Sequence, residues 1–95
     1  MEFSNQRDAS RYAMHVDGQL VGVLDYRIGG GVIALSRAFT NPAHRGKGYA
    51  AQLVEYAVAD IETTDLKVLP SCWYVGEWFD KHPEKSSLIA ANASA

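Results

Sequence analysis

The hydrophobic period of this chain changes across a glycine-rich loop. Before Thr40 the apolar residues alternate or cluster in short β-rich runs. From Ala50 they recur at helical spacing, with Ala50, Leu53, Val54, Ala57, Val58 and Ile61 separated by steps of 3, 1, 3, 1 and 3. Between the two lies Thr40-Asn41-Pro42-Ala43-His44-Arg45-Gly46-Lys47-Gly48-Tyr49-Ala50. The first turn of a helix has no internal acceptors for its N–H groups, and its N-terminus is the positive end of the dipole. Entered through two glycines and flanked by Arg45 and Lys47, such a helix can gather several main-chain amides on one anion. The loop is therefore expected to cradle a phosphate.

The segments on either side define the frame around the loop. Tyr12 to Val16 alternates as a half-buried strand, Asp17-Gly18 makes a hairpin turn, and Gln19 to Ile28 returns as a second strand. In that strand Leu20, Leu24, Tyr26 and Ile28 share one parity, while Val21 and Val23 point to the other face. Gly29-Gly30-Gly31 turns the chain into a third antiparallel strand, Val32 to Phe39; no helical pattern follows the triple glycine, so it is a turn and not a nucleotide loop. After the helix, Leu66 to Leu69 is a short strand closed by Pro70. Strand, helix and strand in that order imply a right-handed crossover and a parallel pair. Ser71 is then expected to cap a second helix running to about Asp80, with Val75, Trp78 and Phe79 on one face and His82-Pro83 as its stop. Pro83-Glu84-Lys85 begins another turn, and Ala90 to Ala95 reads as a frayed tail. The whole is a mixed α/β fold: an antiparallel meander, a helix crossover to a parallel strand, and a C-terminal helix.

A chain of 95 residues has room for one domain and a two-layer core, so residues 1–95 are read as a single domain. Nine basic against eleven acidic side chains leave a formal net charge of −2, which argues against nucleic acid or anionic lipid as a partner and makes any anion site local. The aromatics Trp73, Tyr74, Trp78 and Phe79 follow a helix pattern and do not alternate on an exposed sheet as a single-strand binder would need. Cys72 is the lone cysteine, which excludes an internal disulfide and a thiolate zinc site and suits a reducing cytoplasm. Met1 to Arg11 lacks the apolar core of a signal peptide, so neither export nor a membrane anchor is expected.

G-x-G alone is weak, because glycine also serves tight turns and close packing. Here it follows a strand and opens a helix, the context that a phosphate site requires. It is not a P-loop, since Lys47 is followed by Gly48 and not by Ser or Thr, nor a dinucleotide fingerprint, since the three-glycine spacing is absent. Arg45-Gly46-Lys47-Gly48-Tyr49-Ala50 resembles the R/Q-x-x-G-x-G/A pyrophosphate loop of the GNAT superfamily of N-acetyltransferases. Val68-Leu69-Pro70-Ser71-Cys72-Trp73-Tyr74-Val75, with His82-Pro83-Glu84 downstream, is similar to the small single-domain YjdJ-type branch of that superfamily. The matching regions run from about Val32 to Lys85.

The resemblance implies a GNAT-like fold that binds acetyl-coenzyme A as cosubstrate and transfers acetyl to an unidentified amine of a small molecule or protein. It further implies that the strands before the loop and after the helix splay apart. Ala38, Phe39 and Thr40 would then meet the pantetheine arm, and the amides of Arg45, Gly46, Lys47, Gly48, Tyr49 and Ala50 the pyrophosphate, with Gly46 and Gly48 there for clearance. Acetyl transfer needs a neutral amine, a polarised carbonyl and a proton for the departing thiolate. Cys72, at a helix N-terminus where a thiolate is stabilised, is a candidate nucleophile or acid, or a small buried hydrophobe. Tyr74 is a second candidate acid, or a core aromatic. Members of the branch often carry a His-Thr pair ahead of the loop where this chain has Arg37-Ala38, so the usual base is missing; His15 and His44 are substitutes for it, or simply surface and strand-face histidines. Arg37 also motivates the alternative of a non-catalytic coenzyme A sensor or interaction module. A monomer or weak homodimer is expected, with Trp73, Trp78 and Tyr56 in the core or at an interface.

Overall fold

Period-2 segments build the antiparallel half of the molecule. The computed structural model describes residues 1–90. Strands β1 (Glu2–Gln6), β2 (Arg11–Val16), β3 (Gln19–Gly29), β4 (Val32–Thr40) and β5 (Lys67–Leu69) form one sheet in that spatial order, antiparallel up to β4 and parallel between β4 and β5. Helix α1 (Tyr49–Ile61) makes the crossover and α2 (Trp73–Asp80) follows β5. Leu53, Val54, Ala57, Val58 and Ile61 of α1 and Val75, Trp78 and Phe79 of α2 join Tyr12, Met14, Leu24, Ile33, Leu35 and Val68 in one apolar cluster, so both helices cover the same face.

The β2–β3 turn places Asp17 at φ 51° and Gly18 at φ 78°, the pair of positive values that matches the right-handed twist of a two-residue hairpin. Strand β1 carries too little apolar alternation to be read as a strand, since Phe3 is the single large apolar residue among Glu2–Gln6. Tertiary contacts fix it instead. Phe3 stacks on Tyr56 of α1 at 5.0 Å, the Tyr26 hydroxyl donates to Asn5 Oδ1 at 2.6 Å, and Asn5 Nδ2 donates to Asp60 Oδ2 at 3.4 Å.

The face expected for β3 from simple alternation is corrected by a bulge. Met14 pairs with Gly22 and His15 with Leu20, so Val21 has no opposite number. The extra residue rotates the strand end: Val21 enters the cluster and Leu20 is left half-buried. Ile28, at the far end of the same strand, is exposed. A second bulge, at Ser36 of β4, separates the pairs Tyr26–Leu35 and Asp25–Arg37. The second helix is capped one residue later than expected, at Cys72 and not Ser71. It stops where His82 stacks on Trp78 at 3.9 Å, and Pro83 opens a 3-10 turn, Pro83–Leu88. Ile89 bridges to Val68 along the outer edge of β5; the expected frayed tail lies, beyond Ala90, outside the described residues.

Candidate functional site

Strand β5 stops after Leu69, because Pro70 offers no N–H to extend the ladder, while β4 continues to Thr40. The last tie across the fork is the Cys72 amide, which donates to the Leu35 carbonyl at 3.0 Å. Beyond it, β4 has a partner on one side only. The Asn41 amide donates to Val21 of β3, so by alternation the main-chain groups of Phe39 face β3 and those of Ala38 and Thr40 face the gap. The fork opens into a cavity of about 430 Å³, walled by Ala38 and Thr40 from β4, by His44–Gly46 and Gly48–Ala50 from the loop and α1, and by Cys72, Trp73 and Tyr74 from α2.

The loop is built to present its amides. Asn41 accepts from the Ala43 amide at 3.0 Å and starts a 3-10 turn, Pro42–His44. The Arg45 amide closes it on the Pro42 carbonyl at 3.4 Å, so what Arg45 offers a ligand is its guanidinium. The six amides from Gly46 to Ala51 have no hydrogen-bond partner among the described residues. Gly46 at φ 82° and Gly48 at φ 75° turn the chain into α1 through left-handed backbone. A Cβ added at either would meet no protein atom within 4 Å. The left-handed φ by itself favours glycine at both positions, and the space around each is open on the protein's side.

Of the remaining expected residues, Phe39 turns to the opposite face of the sheet beneath the Arg37 guanidinium, 5.6 Å from its ring, and is not in the cavity wall. Lys47 lies outside the wall as well, with Nζ 6.0 Å from the Tyr49 ring. Cys72 is a buried free thiol and the N-cap of α2. Burial, with the Glu77 carboxylate second, raises the Tyr74 phenol above its ordinary range, so it stays protonated at neutral pH. His44 lines the cavity with Nδ1 buried and unpaired among the described residues, whereas His15, opposite Glu2 and Leu20, does not line it.

One wall residue was expected in the core or at an interface and not at the site. Trp73 is 76 % exposed, with its ring edge-on to Tyr74 at 5.8 Å. The signal was present: Trp73 falls roughly opposite the Val75, Trp78, Phe79 stripe on the wheel of α2. Trp78 is core and Tyr56 half-buried.

A second cavity, of about 450 Å³, lies at the other end of α1 beside Asp60, but four of its polar side chains already engage one another: Tyr12 and Asn5 both donate to Asp60 Oδ2, and Tyr26 donates to Asn5. No helix of the described residues is long and apolar enough to cross a membrane, and no group of three or more His, Cys, Asp or Glu among them is placed to hold a metal ion.

The family model described as GCN5-related N-acetyl-transferase matches residues 11–88. Among solved structures, the ribosomal-protein-alanine N-acetyltransferase from Brucella melitensis biovar Abortus 2308 shares the fold, with a TM-score of 0.56 and 21% identity over 85% of this chain. The chain spans 61% of that protein's length. No curated protein matches the chain.

Proposed function

Since the chain belongs to the GCN5-related N-acetyltransferase family, we propose that it transfers acetyl from acetyl-coenzyme A to an amine at the β4–β5 fork. The observation that carries this reading is that four residues with unpaired amides, Gly46, Gly48, Tyr49 and Ala50, an unpaired strand edge and the side chains of Cys72 and Tyr74 line one cavity. The resemblance of Val68–Val75 and His82-Pro83-Glu84 supports the small YjdJ-type branch.

The fit is chemical. A diphosphate needs donors and positive potential, and the Gly46–Ala51 amides, the α1 N-terminus and Arg45 supply them. A pantetheine arm carries amides that need main-chain partners, and Ala38 and Thr40 have groups turned to the gap. Acetyl-coenzyme A brings the acetyl group as a thioester. As the amine nitrogen bonds to the carbonyl carbon, the C–S bond breaks, and Tyr74, held protonated, gives its proton to the departing sulfur. The proton released by the new amide returns to the phenolate, so a proton moves in net from amine to sulfur. Cys72 stands beside this path as the nucleophile of a two-step alternative.

Calorimetry with acetyl-coenzyme A and mass spectrometry after mixing with amines test the reading. Binding with acetylated amine supports it, and acetyl on Cys72 would show the two-step route. Binding without acetylation of either would make the protein a sensor, and absence of binding would remove the reading altogether.

A further inference from the structure

The cavity walls carry positive charge and no carboxylate. Arg45 and the α1 N-terminus contribute that charge, and two acids on flanking elements sit beside cations of their own. Asp25 on β3 pairs with Arg37 at 3.3 Å, and Glu77 on α2 lies 3.9 Å from Lys81. A polyamine or a lysine side chain would find no carboxylate in the wall to contact, and its ammonium would still have to lose a proton. With a pKa near roughly 10.4, fewer than about one such amine in a thousand is neutral at pH 7.

Trp73 supplies what the walls offer instead. An indole 76 % exposed, next in sequence to Cys72 and held edge-on by Tyr74, leaves a large apolar face in water at the cavity that the acetyl-transfer reading assigns to the reaction. Cation–π attraction could hold an alkylammonium there, but only by desolvating a cation within the field of Arg45 and the helix end.

We infer, resting on that reading, that the acceptor is an aromatic amine of low basicity whose ring packs against the Trp73 indole. In such an amine the lone pair is delocalised into the ring and the nitrogen is unprotonated at neutral pH. No base is then needed before attack, in a cavity whose wall holds no carboxylate. The N–C bond forms, the C–S electron pair leaves with sulfur, and one amine proton ends on the thiol.

The probes are 4-methylaniline, spermidine and a lysine-containing peptide, each incubated with acetyl-coenzyme A and the full chain, with the acetylated product measured by mass spectrometry. The expected result is acetylation of 4-methylaniline above the protein-free rate and above both alkylamines. Trp73→Ala raises the KM for 4-methylaniline about tenfold, the worth of one aromatic contact, while kcat and the acetyl-coenzyme A Kd stay near wild type. Trp73→Phe restores most of the loss. Faster acetylation of spermidine or the peptide overturns the inference, as does a Trp73→Ala effect on the acetyl-coenzyme A Kd with none on the acceptor KM. Tight acetyl-coenzyme A binding with no product from 4-methylaniline overturns it too and leaves the cosubstrate site standing; absence of binding by calorimetry removes both.

Discussion

Substituting Gly48 by Ala, with Gly31→Ala as its twin, separates backbone strain from ligand contact. Gly48 has φ 75° and Gly31 φ 79°, and a Cβ on either meets no protein atom within 4 Å. Each substitution therefore imposes the left-handed penalty without a clash, roughly 1–2 kcal/mol, offset by about 0.5 kcal/mol from a stiffer unfolded chain. A net loss near 1 kcal/mol lowers the Tm of a domain this size by about 4–8 °C, similarly in both variants. Only Gly48 lines the fork. If the strained loop loses one amide from the cradle, a charge-assisted bond of about 1.5–3 kcal/mol goes with it, weakening acetyl-coenzyme A roughly 10- to 100-fold. Scanning calorimetry reads the first quantity and titration calorimetry the second. Matched Tm losses with wild-type affinity in Gly48→Ala would refute the claim that these amides hold the ligand.

Tyr74→Phe is expected to lower kcat by about a hundredfold, the worth of a general acid, with the acetyl-coenzyme A Kd unchanged; steady-state rates beside calorimetry check it, and an unaltered kcat assigns the proton elsewhere. Tyr12 donates to Asp60 Oδ2 at 2.8 Å, and burial, followed by that bond and the carboxylate's charge, raises its pKa well above the ordinary 10.0. The bond's contribution is accordingly complete below about pH 10, where the unfolded phenol is still protonated, and declines as pH climbs from there toward the folded value. Urea unfolding should show wild type losing stability more steeply between about pH 9 and 11 than Tyr12→Phe, which starts about 1 kcal/mol lower at pH 8; parallel curves would contradict the assignment.

What could be read in the sequence was what repeats locally. The β2–β3 hairpin, the α1 stripe and the glycine loop each occupy a continuous stretch with its own period or turn chemistry, and each took its expected form. Strand β1 could not be read, because its place depends on Phe3 finding Tyr56 and on Asn5 linking Tyr26 to Asp60, residues far apart in the chain. Alternation misassigned Val21 for a related reason. The bulge that turns it inward is a property of two strands paired out of step, and neither strand announces it alone.

The fork follows the same division. Its helical half was legible in the glycine spacing as the Arg45–Ala50 amides, of which Arg45 alone is paired within the protein, whereas its strand half exists only because β5 has three residues where β4 has nine. An unpaired strand edge inside a fold is a liability, and so is a helix N-terminus without a side-chain cap. Either alone is readily solvated. Placed on one cavity they leave two groups of main-chain partners facing each other across about 430 Å³, and a long ligand with acceptors at one end and amides along its arm satisfies both together. Cys72, Trp73 and Tyr74 form the third wall of that cavity, the side to which the proposed reaction assigns its acid, its alternative nucleophile and its acceptor surface.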